Sequence, residues 1–298
     1  MEVREGRLGD YPCLMAGSGP PLVVLAGLVP QAGVAPGTFR GEHERTARLF
    51  AHDREVFYLN RRPGMAPGIT MAEIAAEHAG AMREAFGGPV DLLGMSTGGS
   101  IAQQVAAEHP DVVSRLVLVS TGCRLGPVAK RLQRQLAARV RAGAMRQAAA
   151  VFAADLVPSP LELPAAVGGW LLAPRLFTTE GMNHMATVAE AEDGFDLASL
   201  PAIEARTLIV GGGRDRYYGP ALFEETARLI PDCRAVVRPR LGHVSVLWSP
   251  RSRAEIHGFL SVCSRSESAQ GWPSRSSGPR PCPQSAADGW APIRGSRA

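Results

Sequence analysis

Lysine is almost missing from this chain: Lys130 is the only one among 32 basic side chains. With 33 Gly and 24 Pro, that bias toward arginine reads as genomic base composition rather than a binding adaptation. Excess charge is scarce as well. The formal net charge is +4, and +3 of it lies beyond Ser264, where Arg265, Arg275, Arg280, Arg294 and Arg297 face only Glu267 and Asp288. The remainder carries +1, too little for a nucleic-acid-binding face, so no nucleic-acid partner is expected. Cysteines are few, at positions 13, 123, 233, 263 and 282. Their odd number, irregular spacing and lack of any CxxC give neither a disulfide framework nor a zinc site. The first residues lack the apolar core of a signal peptide, and no run approaches 18 apolar residues. The expectation is a soluble, cytoplasmic chain with no membrane partner.

What the sequence does contain is a series of short apolar runs, each followed by turn residues and then by helical spacing. The runs cover 21–26, 55–59, 90–93, 116–119, 207–210 and 235–237. The lengths and the β-branched content of these runs suit strands covered on both faces, as in a mostly parallel sheet. Helices are predicted between them. Thr70-Met-Ala-Glu73 opens one with a capping-box pattern, and 98–108, 220–230 and 251–260 read as others. The predicted class is α/β, with a mostly parallel, doubly wound sheet.

From about Arg124 to Leu200 the strand signal stops. Residues 127–157 read as helical with a break at Gly143, and further apolar helical pieces follow. Such a stretch is long for one crossover and is read as a helical cap inserted at 124–200. The core then comprises 1–123 and 201–263. The Ser-, Pro-, Gly- and Arg-rich tail at 264–298 is expected to be disordered.

Gly94-Met-Ser96-Thr-Gly98 matches G-x-S-x-G and lies between an apolar run and a helix. That strand–turn–helix setting is what a nucleophile elbow needs: the serine occupies a tight turn, and glycines two positions away avoid collisions. On these residues the chain, over roughly 8–262, resembles the α/β-hydrolase family. The resemblance implies a triad in the order Ser, acid, His. Asp215, after the run 207–210 and the glycines at 211–213, is the acid it selects. Asp193 and Asp196 are rivals that end the helical insertion, and the other acid position of the family holds Ser120-Thr121. His243, in a loop after the last apolar run, matches the catalytic histidine. His43, His52, His78 and His109 are read as surface or half-buried, His257 as too late, and His184 as able to touch substrate.

The resemblance further implies an oxyanion hole formed by the backbone N–H groups of Thr97 and Leu28, although Ala26-Gly-Leu28 replaces the family's frequent His-Gly pair. The Arg61-Arg-Pro-Gly64 loop matches one whose role in the family is structural. Apolar candidates for a substrate pocket are Phe152, Trp170, Leu171, Phe177, Met182 and Met185. The activity expected is hydrolysis of an ester-like bond in a small hydrophobic substrate through an acyl-serine, without metal or cofactor. Lactonase, thioesterase, carbon–carbon hydrolase and serine haloperoxidase activities remain open alternatives. A dehalogenase or epoxide hydrolase would carry Asp at the elbow. A non-catalytic small-molecule binder is the alternative from another class.

Overall fold

A computed structural model describes residues 1–261 except 35, 156, 158 and 159. The tail expected to be disordered, 264–298, lies outside the described residues. Strands β1 (Val3–Leu8), β2 (Tyr11–Ala16) and β3 (Pro21–Leu25) lead into helix α1 (Gly37–Phe50). Then come β4 (Glu55–Leu59), α2 (Met71–Phe86), β5 (Val90–Met95), α3 (Thr97–Glu108) and β6 (Val113–Val119). Among the described residues, four helices follow without a strand: α4 (Pro127–Arg141), α5 (Met145–Asp155), α6 (Glu162–Leu176) and α7 (Thr179–Glu192). The chain then returns through β7 (Arg206–Gly212), α8 (Gly219–Leu229), β8 (Cys233–Arg238), α9 (Ser245–Trp248) and α10 (Pro250–Ser261).

The eight strands form one sheet in the order β1-β2-β4-β3-β5-β6-β7-β8. From β4 to β8 all pairings are parallel, and β1 and β2 add an antiparallel edge. All six apolar runs are strands. Their side chains alternate between two cores: Val23, Leu25 and Leu92 face one, Leu22, Val24 and Leu93 the other. α2, α3 and α8 cover the first face, and α1 and α10 the second. This two-sided cover is why the strands read as apolar runs rather than as alternating ones.

At the N-terminal end of β5, Asp91 is 4% exposed and accepts from Arg54 Nη1 (2.6 Å) and Arg115 Nη2 (2.7 Å). Arg54 also donates to the Leu260 carbonyl, tying α10 to the sheet. α4, α5 and α7 enclose a third apolar cluster containing Leu136, Val140, Phe152, Met182 and Met185. The helix break falls at the predicted place, with α4 ending at Arg141 and α5 starting at Met145.

Candidate active site

The C-terminal ends of the parallel strands deliver the site. β5 runs through Met95, and α3 begins at Thr97, leaving Ser96 alone at the junction with φ 50° and ψ −121°. A non-glycine residue there is strained, and such strain is held where it positions a functional side chain. The flanking glycines are what permit it. A β-carbon on Gly94 would lie 2.6 Å from the Gly99 Cα, and one on Gly98 would lie 2.5 Å from the Ala26 carbonyl oxygen. Both values are far inside contact distance, so helix, strand and neighbouring strand close only over bare backbone.

The three residues expected to act together do meet. His243 Nε2 lies 3.0 Å from Ser96 Oγ, and its Nδ1 lies 2.8 Å from Asp215 Oδ2. The carboxylate fixes the tautomer: Nδ1–H donates to Asp215, which leaves Nε2 to accept from the serine hydroxyl. Asp215 is buried, and its other oxygen accepts from the N–H groups of Tyr217 (2.8 Å) and Tyr218 (3.2 Å). The imidazole is clasped by the same two residues. The Tyr217 ring meets it edge-on at 4.6 Å, and the Tyr218 ring lies parallel to it at 5.9 Å. Ser120, at the tip of β6, donates to the His243 carbonyl oxygen at 2.6 Å. Asp193 is engaged elsewhere, with Arg134 at 2.8 Å, and Asp196 Oδ1 accepts from the Ala198 N–H.

The loop after β3 lies against Ser96, since a β-carbon on Gly27 would be 3.5 Å from Ser96 Cβ. Thr97 is fully buried and Leu28 is partly buried between the sheet core and the third cluster. The device that shapes this loop is Arg61, only 1% exposed. Its Nη1 donates to the Gly27 carbonyl (2.9 Å), and its Nη2 to the carbonyls of Val29 (2.8 Å) and Gln31 (3.4 Å). Burial lowers the Arg61 pKa to about 10, while Tyr58 and Glu192 oppose that fall.

Several expectations need correction. His43 and His78 are 3% and 2% exposed, deep in the fold rather than at its surface, and burial lowers the pKa of each to about 4. Of the pocket candidates, Phe152, Met182 and Met185 are buried and Phe177 packs beside them. Trp170 and Leu171 instead point outward from α6, 42% and 58% exposed. The inner side of α6 is occupied by α5, where Gly169 approaches Ala149 and Ala153. His184 Nε2 donates to the Arg62 carbonyl at 2.7 Å. Among the described residues, no group of three or more His, Cys, Asp or Glu is arranged to hold a metal ion, and no helix is long and apolar enough to cross a membrane.

Sequence reasoning missed Ser120, Tyr217, Tyr218, Glu192 and the depth of Arg61. Glu192, the last residue of α7, is fully buried and accepts from Thr97 Oγ1 and Ser100 Oγ, both at 2.7 Å.

Comparison with known proteins decides the lineage. The sequence model of the alpha/beta hydrolase family matches residues 16–256. The chain belongs to that family. It is similar to polyketide synthase ThaQ of Burkholderia thailandensis, 30% identical over 248 residues, covering 78% of this chain but 11% of that protein. It is 27% identical over 261 residues to a Mycobacterium tuberculosis protein named as a non-heme bromoperoxidase, BpoC, covering 83% of this chain and 96% of that one. The BpoC crystal structure superimposes with a TM-score of 0.63 at 22% identity, covering 88% of this chain and 96% of that one. The pimeloyl-[acyl-carrier protein] methyl ester esterase of Neisseria meningitidis is 29% identical over 204 residues, covering 65% of this chain and 77% of that one. With relatives named as esterase, hydrolase and bromoperoxidase, this family member is an enzyme.

Proposed function

We propose that the chain is a serine hydrolase that cleaves an ester-like bond of a small hydrophobic substrate. The observation that carries the reading is the unbroken contact chain from Ser96 Oγ through His243 to Asp215, at 3.0 and 2.8 Å. A neutral serine hydroxyl is a poor nucleophile, so His243 Nε2 takes its proton as Oγ attacks the carbonyl carbon. Asp215 holds the ring and stabilises the imidazolium that forms. The oxyanion is received by the N–H groups of Thr97 and Leu28, with the N-terminal dipole of α3 beneath it. His243 then gives its proton to the leaving alcohol, and the acyl group stays on Ser96. Water, activated by the same histidine, releases the acid and restores the hydroxyl. The reaction needs no metal or cofactor, and the apolar cluster of Phe152, Met182 and Met185, against which Leu28 packs, supports an uncharged acyl group.

Similarity to an enzyme named as a methyl ester esterase supports an oxygen ester as the bond cleaved. The decisive test is labelling by a fluorophosphonate. Wild type should label, while Ser96→Ala and His243→Ala should not. Failure of well-folded wild type to label would favour a non-catalytic binder, and persistent labelling of Ser96→Ala would relocate the nucleophile. Turnover of a panel of oxygen esters, thioesters and lactones, with a bromination assay beside it, then separates activities within the family.

A further inference from the structure

Helix α7 touches every segment that would shape the oxyanion hole. At its N-terminal end, Thr178 Oγ1 caps the Gly181 N–H at 3.0 Å. A β-carbon on that buried glycine would collide with the Pro30 carbonyl oxygen, far inside the 3.0 Å that real β-carbons respect. Here the helix therefore seats directly on the backbone of the 27–31 loop. One turn on, His184 bonds the Arg62 carbonyl of the next loop. At the C-terminal end the carboxylate of Glu192 gathers four donors from three other elements. Thr97 and Ser100 reach it from the first turn of α3, Gln133 from α4 at 2.9 Å, and Tyr218 OH from beside His243 at 3.4 Å.

We propose that α7 is the strut that sets the oxyanion hole, with Gly181 and Glu192 as its two positioning residues. Gly181 fixes the loop that carries Leu28, and Glu192 fixes Thr97. The inference rests on the serine-hydrolase reading above. An apolar residue at 192 would fill the same volume without the desolvation cost of a buried acid, so the carboxylate is retained for what it orients. Burial raises the Glu192 pKa and its four donors oppose that rise; in the ionised form, an anion beneath α3 opposes the developing oxyanion. Geometry and charge therefore predict opposite outcomes when the charge is removed.

The test compares wild type, Glu192→Gln, Thr97→Val, Gly181→Ala, Gly168→Ala and Ser96→Ala in hydrolysis of p-nitrophenyl butyrate, with folding checked by circular dichroism. A boronic acid that forms a tetrahedral serine adduct serves as transition-state probe. Loss of a complete oxyanion donor costs on the order of a hundredfold or more, so a displaced donor should cost about tenfold. Glu192→Gln and Gly181→Ala should each lower kcat about tenfold, leave KM within about twofold, and weaken boronate inhibition by the factor lost from kcat/KM. Thr97→Val, which removes one donor to Glu192 at constant shape, should follow Glu192→Gln. Gly168→Ala, whose new β-carbon meets nothing within 4 Å, should match wild type. A rise in kcat of Glu192→Gln, a loss confined to KM, or wild-type kcat in folded Glu192→Gln and Thr97→Val overturns the strut. Turnover retained by Ser96→Ala would instead sink the serine-hydrolase reading.

Discussion

Replacing Arg61 by methionine removes the cation that bonds the carbonyls of the loop after β3, and two opposed quantities decide the outcome. The guanidinium makes two short bonds, to the carbonyls of Gly27 (2.9 Å) and Val29 (2.8 Å), and a long one to Gln31 (3.4 Å). Bonds to a charged donor are worth about 1.5–3 kcal/mol each, so losing the two short ones costs about 3–6 kcal/mol. Against this stands the expense of burying the cation. Burial lowers its pKa to about 10, which corresponds to roughly 3 kcal/mol regained when the charge is deleted. The balance is a net destabilisation of about 0–3 kcal/mol, whose midpoint corresponds to a fall in Tm of roughly 5 °C for a chain of this size. Activity should suffer more than stability, because the freed loop carries Leu28, and kcat should fall about tenfold or more at unchanged KM. Arg61→Lys, with a single point donor in place of a planar fork, should recover part of the stability and little of the rate. Thermal melting and steady-state hydrolysis of a p-nitrophenyl ester measure both. A variant with wild-type Tm and kcat would refute the reasoning entirely, and a lower Tm with unaltered kcat would show that Arg61 braces the fold without shaping the oxyanion hole.

Asp91→Asn should separate stability from activity in the other direction. It leaves Arg54 and Arg115 without their carboxylate at the end of β5 remote from Ser96, so urea unfolding should show a loss of about 3–5 kcal/mol while kcat of the folded fraction stays constant. Acid should destabilise the protein through three histidines held neutral, since burial lowers the pKa of His43, His78 and His184 to about 4. In the unfolded chain each titrates near 6.5, so between about pH 6.5 and 4 the unfolded state binds more protons and stability drops as pH falls, by up to about 1.4 kcal/mol per pH unit per histidine. Urea midpoints at pH 7, 5.5 and 4.5 check this, and equal midpoints would contradict it.

The sheet was legible where strands are covered on both faces and fell silent at its edge. Val3–Leu8 has apolar residues only at its two ends, with charged residues and glycine between them, and Tyr11–Ala16 carries Pro12, so neither looks like the buried runs beside it. α1 was equally hidden: Gly37, Gly41 and a row of charges obscure the Ala47 and Phe50 side chains that it buries. Trp170 and Leu171 misled in the opposite sense, because an apolar helix reads as buried whether or not a partner covers it. At the site, Ser96, Asp215 and His243 could be named because each stands at or after a strand end, and parallel strands bring those ends to one edge of the sheet. Their supports obey no such rule. Glu192 meets Thr97 across 95 residues, Ser120 meets His243 across 123, and Arg61 holds carbonyls about 30 residues back. A buried arginine and a buried glutamate also run against where those side chains ordinarily lie, so residue type gives no hint of them. The three residues of the candidate site are written in local pattern and chain order, whereas the parts that hold them in register are written in contacts between distant segments, and only the folded chain brings those together.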